Sequence, residues 1–419
     1  MPMDTQKVIA VCGTFDTKGN ELLCLADEIK AQGFRPVLID MSTRANTCTV
    51  DFTVDDALVA CGRDPAQTRK ELEPAELFSA ISNGAGLLTA GLIQEGKLNG
   101  VICMAGGRGT FMACGLLRQL PVGFPKVLIS TIATNEGIQH TFAGINDTMV
   151  LNPLVDVAGL NPILRMAIKE GAAAVCGMAG ASCALRGSAE KVRVGITMWG
   201  VTTPCVERVR QRLEAEGYEV YVFHANGLGG AMMDKLVEQG YLHVVADLTL
   251  SEITQPVCRG EYTERNAVNR MKSACEKGIP QVITFGGIDM VYWGANVPNT
   301  IGARKEYRHT ADCVFHRSSA DEACRCAKWV ADRLNLSNGK VTVLLPLRGT
   351  SAVDKAGEAL YEPETDHALF QAVHKEMGPK IKVIDVDAHI NDAIFADAVT
   401  DQILRYADEI KESMKQKQA

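Results

Sequence analysis

Aromatic residues are scarce in this 419-residue chain, at 5% against 47% hydrophobic residues overall. A core with few rings must be built from Ala, Val, Ile and Leu, as in layered α/β proteins whose strands are buried on both faces. No CxxC pair occurs among the fourteen cysteines, which removes the usual zinc and thioredoxin-like spacings. Cys12, Cys24, Cys103 and Cys176 lie inside apolar runs, so the thiols read as reduced and packed, in a reducing compartment. Cys324 and Cys326 fall on a helical pattern, where residues two apart do not share a face. The stretch Met1-Pro2-Met3-Asp4 lacks the charged and apolar regions of a secretory signal, and no run reaches the roughly 18 apolar residues of a membrane span. Excess positive charge is missing too: a net charge of −7 argues against a nucleic-acid footprint and suits a cytoplasmic protein. Small molecules, rather than nucleic acid or membrane, are the partners this leaves.

What is present is a pattern of alternating strands and helices. The length exceeds what one hydrophobic core usually supports, and two domains of roughly 200 residues are expected. The chain opens with the apolar run from Val8 to Cys12, a polar stretch Gly13-Thr14-Phe15-Asp16-Thr17-Lys18-Gly19, a helical pattern in Leu22, Leu25, Ala26 and Ile29, and a second strand from Arg35 to Asp40. That order predicts a parallel sheet.

The same unit recurs. Val192 to Gly200 repeats the first strand, with Gly33 falling on Gly217 and Asp40 on His224; Leu92 to Ile102 matches Leu236 to Ala246, and Pro125 to Leu128 matches Pro280 to Ile283. Three matches in one order predict an α/β chain of two related halves with mainly parallel sheets, from an internal duplication. The expected boundaries are residues 1–180, a linker at 181–190 that is small, polar and glycine-rich, and residues 191–419. The first half carries an extra segment after its second strand, with an extended arm at Val50 to Val54. The apolar stretch from Val155 to Ala181, helical after Pro162, is expected to pack between domains.

In parallel sheets, ligands sit outside the carboxyl ends of the strands. The first half offers there the Gly13 to Gly19 stretch, Asp40, the loop Gly106-Gly107-Arg108-Gly109-Thr110, and Thr131. Backbone N–H groups at helix N-termini in glycine-rich loops hold phosphate or another anion. Lys18 and Arg108 add positive charge, Thr14 and Thr17 add hydroxyl donors, and Asp16 can reach a magnesium ion or a ribose hydroxyl. Neither a Walker A motif nor GxGxxG is present. In the second half, Cys205 follows Thr203 and Pro204 at a helix start, where it is either an activated thiolate or a packed core thiol. His224 stands at a strand tip beside a glycine-rich loop, and Arg348 in another. Alternation places Asp385, Asp387 and His389 on one side of an extended segment, where they would bind a metal or perform acid–base work, or else cap the last helix. Arg304, Arg308 and His309 lie in a polar stretch that is either an anion site or plain surface.

These motifs, namely Cys12 to Gly19, Ala105 to Thr110, Met198 to Pro204, His224 to Gly227 and Pro346 to Gly349, are similar to those of the family of ATP-binding domains that includes the tomato mosaic virus resistance protein and its bacterial relatives. The resemblance spans nearly the whole chain. It implies two Rossmann-like domains, ATP with magnesium, and a homodimer or higher homo-oligomer. The family's pattern places a proline after its His-Ile-Asn-Asp motif, where Ala393 stands here.

The function expected is ATP–magnesium binding at the Gly13 and Gly106 loops, with an ATP-dependent reaction on a small acidic metabolite in a cleft between domains facing His224, Arg348, Asp387 and His389. Two alternatives stay open: a non-catalytic ligand sensor that binds a partner, and a nucleotide-independent hydrolase or lyase using Asp385, Asp387 and His389.

Overall fold

A computed structural model describes residues 6–135, 142, 144, 147–181, 191–258, 270–294, 302–311 and 313–418. The chain divides into two compact units, Met1–Arg186 and Gly187–Ala419. Apart from Ala181, the expected linker lies outside the described residues.

The first unit runs β1 (Val8–Gly13), α1 (Phe15–Ala31), β2 (Arg35–Asp40), α2 (Val54–Ala60), α3 (Pro65–Glu71), α4 (Pro74–Gln94), β3 (Gly100–Ala105), α5 (Gly107–Leu117), β4 (Lys126–Ser130), β5 (Met149–Leu151) and α6 (Pro162–Ala181). Its sheet has the order β2-β1-β3-β4-β5, and every pairing is parallel. Along β1, Ala10 and Cys12 pack into a core with the helices α2, α4 and α5, while Ile9 and Val11 pack against α1 and α6. Burial on both faces is why the strand reads as an unbroken apolar run. The chain turns from β1 to β2 on one side and to β3 on the other, so the sheet's topological switch point lies between the tips of β1 and β3.

The extra segment is more helical than its sequence suggests. Phe52 makes only an isolated bridge to Ile39, and Thr53 then caps α2 in a reciprocal box with Asp56. Helix α6 packs within the first unit: Leu164, Ile168, Ala172 and Val175 are buried against that unit's own sheet. Helix α4, 21 residues long with an 18-residue window of mean hydropathy 1.2, is nevertheless long and apolar enough to cross a membrane by length and composition. Its buried residues Ala80, Ile81 and Ala85 lie in the core shared with α2 and α5.

The second unit runs β6 (Arg193–Met198), α7 (Thr203–Ala215), β7 (Glu219–His224), α8 (Gly229–Glu238), β8 (Val244–Thr249), α9 (Ser251–Cys258), α10 (Lys272–Lys277), β9 (Gln281–Gly286), β10 (Met290–Gly294), β11 (Glu306–Thr310), β12 (Cys313–Arg317), α11 (Ala320–Leu334), β13 (Val341–Pro346), α12 (Pro363–Glu376), β14 (Lys382–Val386) and α13 (Ala393–Gln418). Its main sheet, β14-β13-β9-β8-β6-β7, is parallel, with the switch point between β6 and β8. The matches found in the sequence fall on equivalent elements, β1 with β6, β2 with β7, β3 with β8 and β4 with β9. Gly33 and Gly217, which close α1 and α7, share the left-handed conformation at φ +84° and +85°. A small antiparallel sheet, β10-β12-β11, was not foreseen. It contains Arg308 and His309, both on the exposed strand β11.

Candidate functional site

In the first unit, the polar stretch after β1 is not a loop. Helix α1 starts at Phe15 with Thr14 as its N-cap, so Asp16, Thr17, Lys18 and Gly19 form its opening turns. Gly13 serves packing: a Cβ there would lie 2.8 Å from Leu22 and 3.2 Å from the Met104 carbonyl. Asp40 is buried, accepting from the Phe15 N–H at 3.4 Å, the Ser42 N–H at 2.9 Å and the Asn46 side chain at 2.6 Å. The Asp16 N–H donates to Ser42 Oγ at 2.9 Å. Asp40 and Ser42 together take the first N–H groups of α1, which corrects the expectation that Gly13 and Asp40 face a ligand.

Other predicted residues are also engaged internally. Lys18, off helical geometry at φ −130°, donates its Nζ to the Val157 carbonyl. Thr14 and Thr17 share a hydroxyl hydrogen bond of 3.0 Å. Thr110 is fully buried, its hydroxyl 2.8 Å from both the Gly106 carbonyl and Ser130 Oγ, so it positions the turn and does not reach a ligand. Arg108 lies 5.9 Å from the Phe78 ring centroid.

Helix α5 is different. Gly106 is its N-cap, and no side chain caps it. A Cβ on Gly107 would meet nothing within 4 Å. The side chains nearest to Gly106 are Asp156 Oδ1 and Thr131 Oγ1, 3.9 and 4.0 Å from its ideal Cβ position. Asp156 is exposed. It is a residue that the sequence reading missed, because it sits at the head of the apolar stretch assigned to α6. Glu21, accepting from the Gly159 N–H at 2.7 Å, and Lys18 hold that loop against α1. Asp16 accepts from the Arg44 N–H through Oδ2 at 3.2 Å, while its Oδ1 is buried without a partner.

The second unit encloses a cavity of about 510 Å³ at the carboxyl tips of β6, β7 and β8. His224 lines it, together with Trp199, Asn226, Ser251 and Glu252, and the small sheet contributes Tyr292, Tyr307, His309, Cys313 and Phe315. Phe315 is the centre of the aromatic wall, with ring centroids 5.1 Å from Trp199 and 5.7 Å from Tyr292. Glu252 accepts from the Gly227 N–H at 2.9 Å and the Gly230 N–H at 3.1 Å, and lies 3.1 Å from Arg270 Nε. Burial pushes its carboxyl above the ordinary range, and the Arg270 charge opposes that shift. The sequence reading missed Glu252 because it omitted the β8 tip. The period-two pairs Met290/Tyr292, Tyr307/His309 and Cys313/Phe315 were the signal available for the wall.

Of the other proposed catalytic residues, none lines this cavity. Arg348 and Asp387 form an exposed two-point pair at 2.7 Å, which holds the Asp387 carboxyl below its usual range. Asp385 pairs with His374 at 2.8 Å. His389 is buried with Nε2 2.8 Å from the Ser351 carbonyl oxygen. The expected cluster of two carboxylates and an imidazole is therefore three separate interactions. Among the described residues, no three His, Cys, Asp or Glu side chains are grouped to hold a metal ion. Cys205 is a core thiol, pushed up to about 12 by burial, and the described cysteines are unpaired thiols.

Residues 7–184 match the model of the N-terminal domain of an uncharacterised protein family, UPF0261, and residues 191–407 match that of its C-terminal domain. A UPF0261 protein of Rhizobium meliloti is 34% identical over 396 residues, covering 94% of this chain and 97% of that protein. The ToMV resistance protein Tm-1(GCR237) of Solanum lycopersicum is 32% identical over 428 residues, covering 94% of this chain but 55% of its own length. Among solved structures, an uncharacterized protein from Bacillus cereus is similar at 11% identity and a TM-score of 0.26, over 82% of this chain and 91% of that one. With both domain models matched in order and relatives aligned along nearly its whole length, the chain belongs to the UPF0261 family.

Proposed function

We propose that the first unit binds a nucleotide, ATP with magnesium, at the tip of β3, with its phosphates on the N-terminus of α5. The observation that carries this reading is the uncapped start of α5, where Gly106 and Gly107 leave the backbone open at the sheet's switch point. Free N–H groups and the positive end of the helix dipole are what an oligophosphate requires. Arg108, in the same turn, and Thr131, at the neighbouring tip of β4, would supply a cation and a hydroxyl.

In this reading, Asp16 and Asp156 are the carboxylates that would hold a magnesium ion. Asp16 keeps a buried carboxylate oxygen without a partner, and Asp156 stands beside Gly106. Magnesium bound with a nucleotide needs only one or two carboxylates, since phosphates and waters complete its octahedron. When bound, it would neutralise charge on the phosphates. This chain's own residues would then orient the nucleotide, and any transfer to a second substrate would rest on positioning and electrostatics. The reading moves the phosphate site away from Gly13, whose neighbouring N–H groups are taken by Asp40 and Ser42.

Calorimetric titration of the full chain with ATP, with magnesium and with excess chelator, tests the proposal. Saturable heat with magnesium, lost in Gly107→Val at an unchanged melting temperature, supports it. No heat under either condition, or full affinity in Gly107→Val, refutes it. Release of ADP during the titration would separate an ATP-dependent enzyme from a nucleotide sensor.

A further inference from the structure

The cavity of the second unit occupies the place where α/β sheets hold their ligands, at the tips of β6 and β8 beside the switch point. Its volume, about 510 Å³, is that of a small-molecule site. What distinguishes it is the fate of its glycine-rich loop. Asn226-Gly227-Leu228-Gly229-Gly230 leads into α8 and would ordinarily offer N–H groups to an anion. Here Glu252 reaches back from the first turn of α9 and accepts from both Gly227 and Gly230. A carboxylate of the chain itself fills the cradle.

Behind Glu252 the charges are closed off as well. Arg270, fully buried, is shared between Glu252 at 3.1 Å and Asp247 at 2.7 Å. Two carboxylates against one guanidinium leave no positive charge to spare for a ligand. Among the described residues, no Lys or Arg lines the cavity. The opposite wall is aromatic, from Trp199, Tyr292, Tyr307 and Phe315, with Tyr307 and Phe315 nearly parallel at 20° and 6.5 Å between centroids.

From this we infer that the second unit is a binding site for a planar, unsaturated ring compound carrying no negative charge, held against the Phe315 wall and turned away from phosphorylated or carboxylated ligands by Glu252. Faces and edges of rings supply the attraction, and a fixed carboxylate in a partly desolvated pocket supplies the discrimination. The inference replaces the acidic substrate expected from sequence. It stands apart from nucleotide binding, which belongs to a different unit and different residues.

Three probes that share one ring and differ in charge test it: 2-naphthol, 2-naphthylmethylamine and 2-naphthoate, each titrated against the full chain by ligand-observed NMR. The neutral and cationic probes should saturate, with the carboxylate weaker by roughly tenfold, the scale of one opposed charge pair in a partly exposed site. Tyr307→Ser, on the exposed edge strand, should weaken 2-naphthol by roughly tenfold, the scale of one lost aromatic contact. Glu252→Gln should narrow the gap between 2-naphthol and 2-naphthoate. Should that variant fail to fold, the wild-type probe series and Tyr307→Ser still decide. Tightest binding by 2-naphthoate, no saturation by any probe, or unchanged affinity in Tyr307→Ser would overturn the assignment. ATP titration of the same samples keeps a failure here separate from a failure of the nucleotide site.

Discussion

Arg270 Nη2 and Asp247 Oδ1 meet at 2.7 Å with 0% and 1% of their side chains exposed. Thr197 Oγ1 donates to the same Asp247 oxygen at 2.7 Å, so a strand, a strand tip and the start of a helix share one buried charge network. Replacing Arg270 by Met leaves Asp247 and Glu252 buried without their cation. Breaking a buried pair in this way costs about 3–5 kcal/mol. Urea denaturation should show that loss, and a loss below about 1 kcal/mol would mean that the carboxylates are neutralised by protons instead.

Asp234 gives the second unit a stability that falls with rising pH. Burial pushes its carboxyl up to about 8, against the pull of Arg270. The unfolded value is about 3.9. A raised acid holds its proton in the folded state, so its contribution is full below about pH 3.9 and is lost as pH rises towards 8. Asp234→Asn, which keeps an acceptor for the Met271 N–H, should gain stability relative to wild type between pH 5 and pH 8. Equal differences at both values would show that Asp234 is ionised throughout.

His243 acts in the opposite sense. Burial and the Arg193 guanidinium lower its pKa to about 4, from about 6.5 when unfolded. The neutral ring is favoured in the folded state, so its stabilisation is full above about pH 6.5 and is lost as pH falls towards 4. Denaturation midpoints at pH 7, 5.5 and 4 should show a steeper acid loss in wild type than in His243→Asn. Parallel profiles would count against the lowered pKa.

Two glycines of α4 should respond in opposite directions. A Cβ on Gly84 would lie 1.9 Å from the Ala57 carbonyl oxygen, where α2 and α4 touch at their backbones. Gly84→Ala should therefore cost about 1–3 kcal/mol. Gly91 has nothing within 4 Å of the same position, and Gly91→Ala should stabilise by about 0.4–1 kcal/mol. Thermal melts of the two variants decide this, and equal shifts would refute the packing argument.

The strand and helix frame was legible because it is written in hydrophobic period: Ile9 and Val11 face one core while Ala10 and Cys12 face another. The duplication was legible because the glycines that end α1 and α7 are demanded by backbone torsion. The small sheet was not. Strand β11 is Glu306-Tyr307-Arg308-His309-Thr310, mostly exposed, and pairs through its backbone, which leaves little hydrophobic trace. Sites were harder still. Alternation correctly sets Asp385 and Asp387 apart from Val386, but it cannot say that Arg348 and His374 take their charges. The Gly13 stretch promised a ligand because Asp40 and Ser42, remote in sequence, are what occupy its N–H groups.

The left-handed turns at Gly33 and Gly217 carry one more implication. A bend shaped by a single backbone torsion makes no demand on the side chains at the far ends of the strands it joins. Sequence change at those far ends is thus uncoupled from the crossover itself. One copy could come to hold Asp16 and Lys18, and the other Gly200 and Thr202, while both kept the same strand, helix and return. In this chain both halves keep the same left-handed turn, while the residues at the rim beyond the first strand differ.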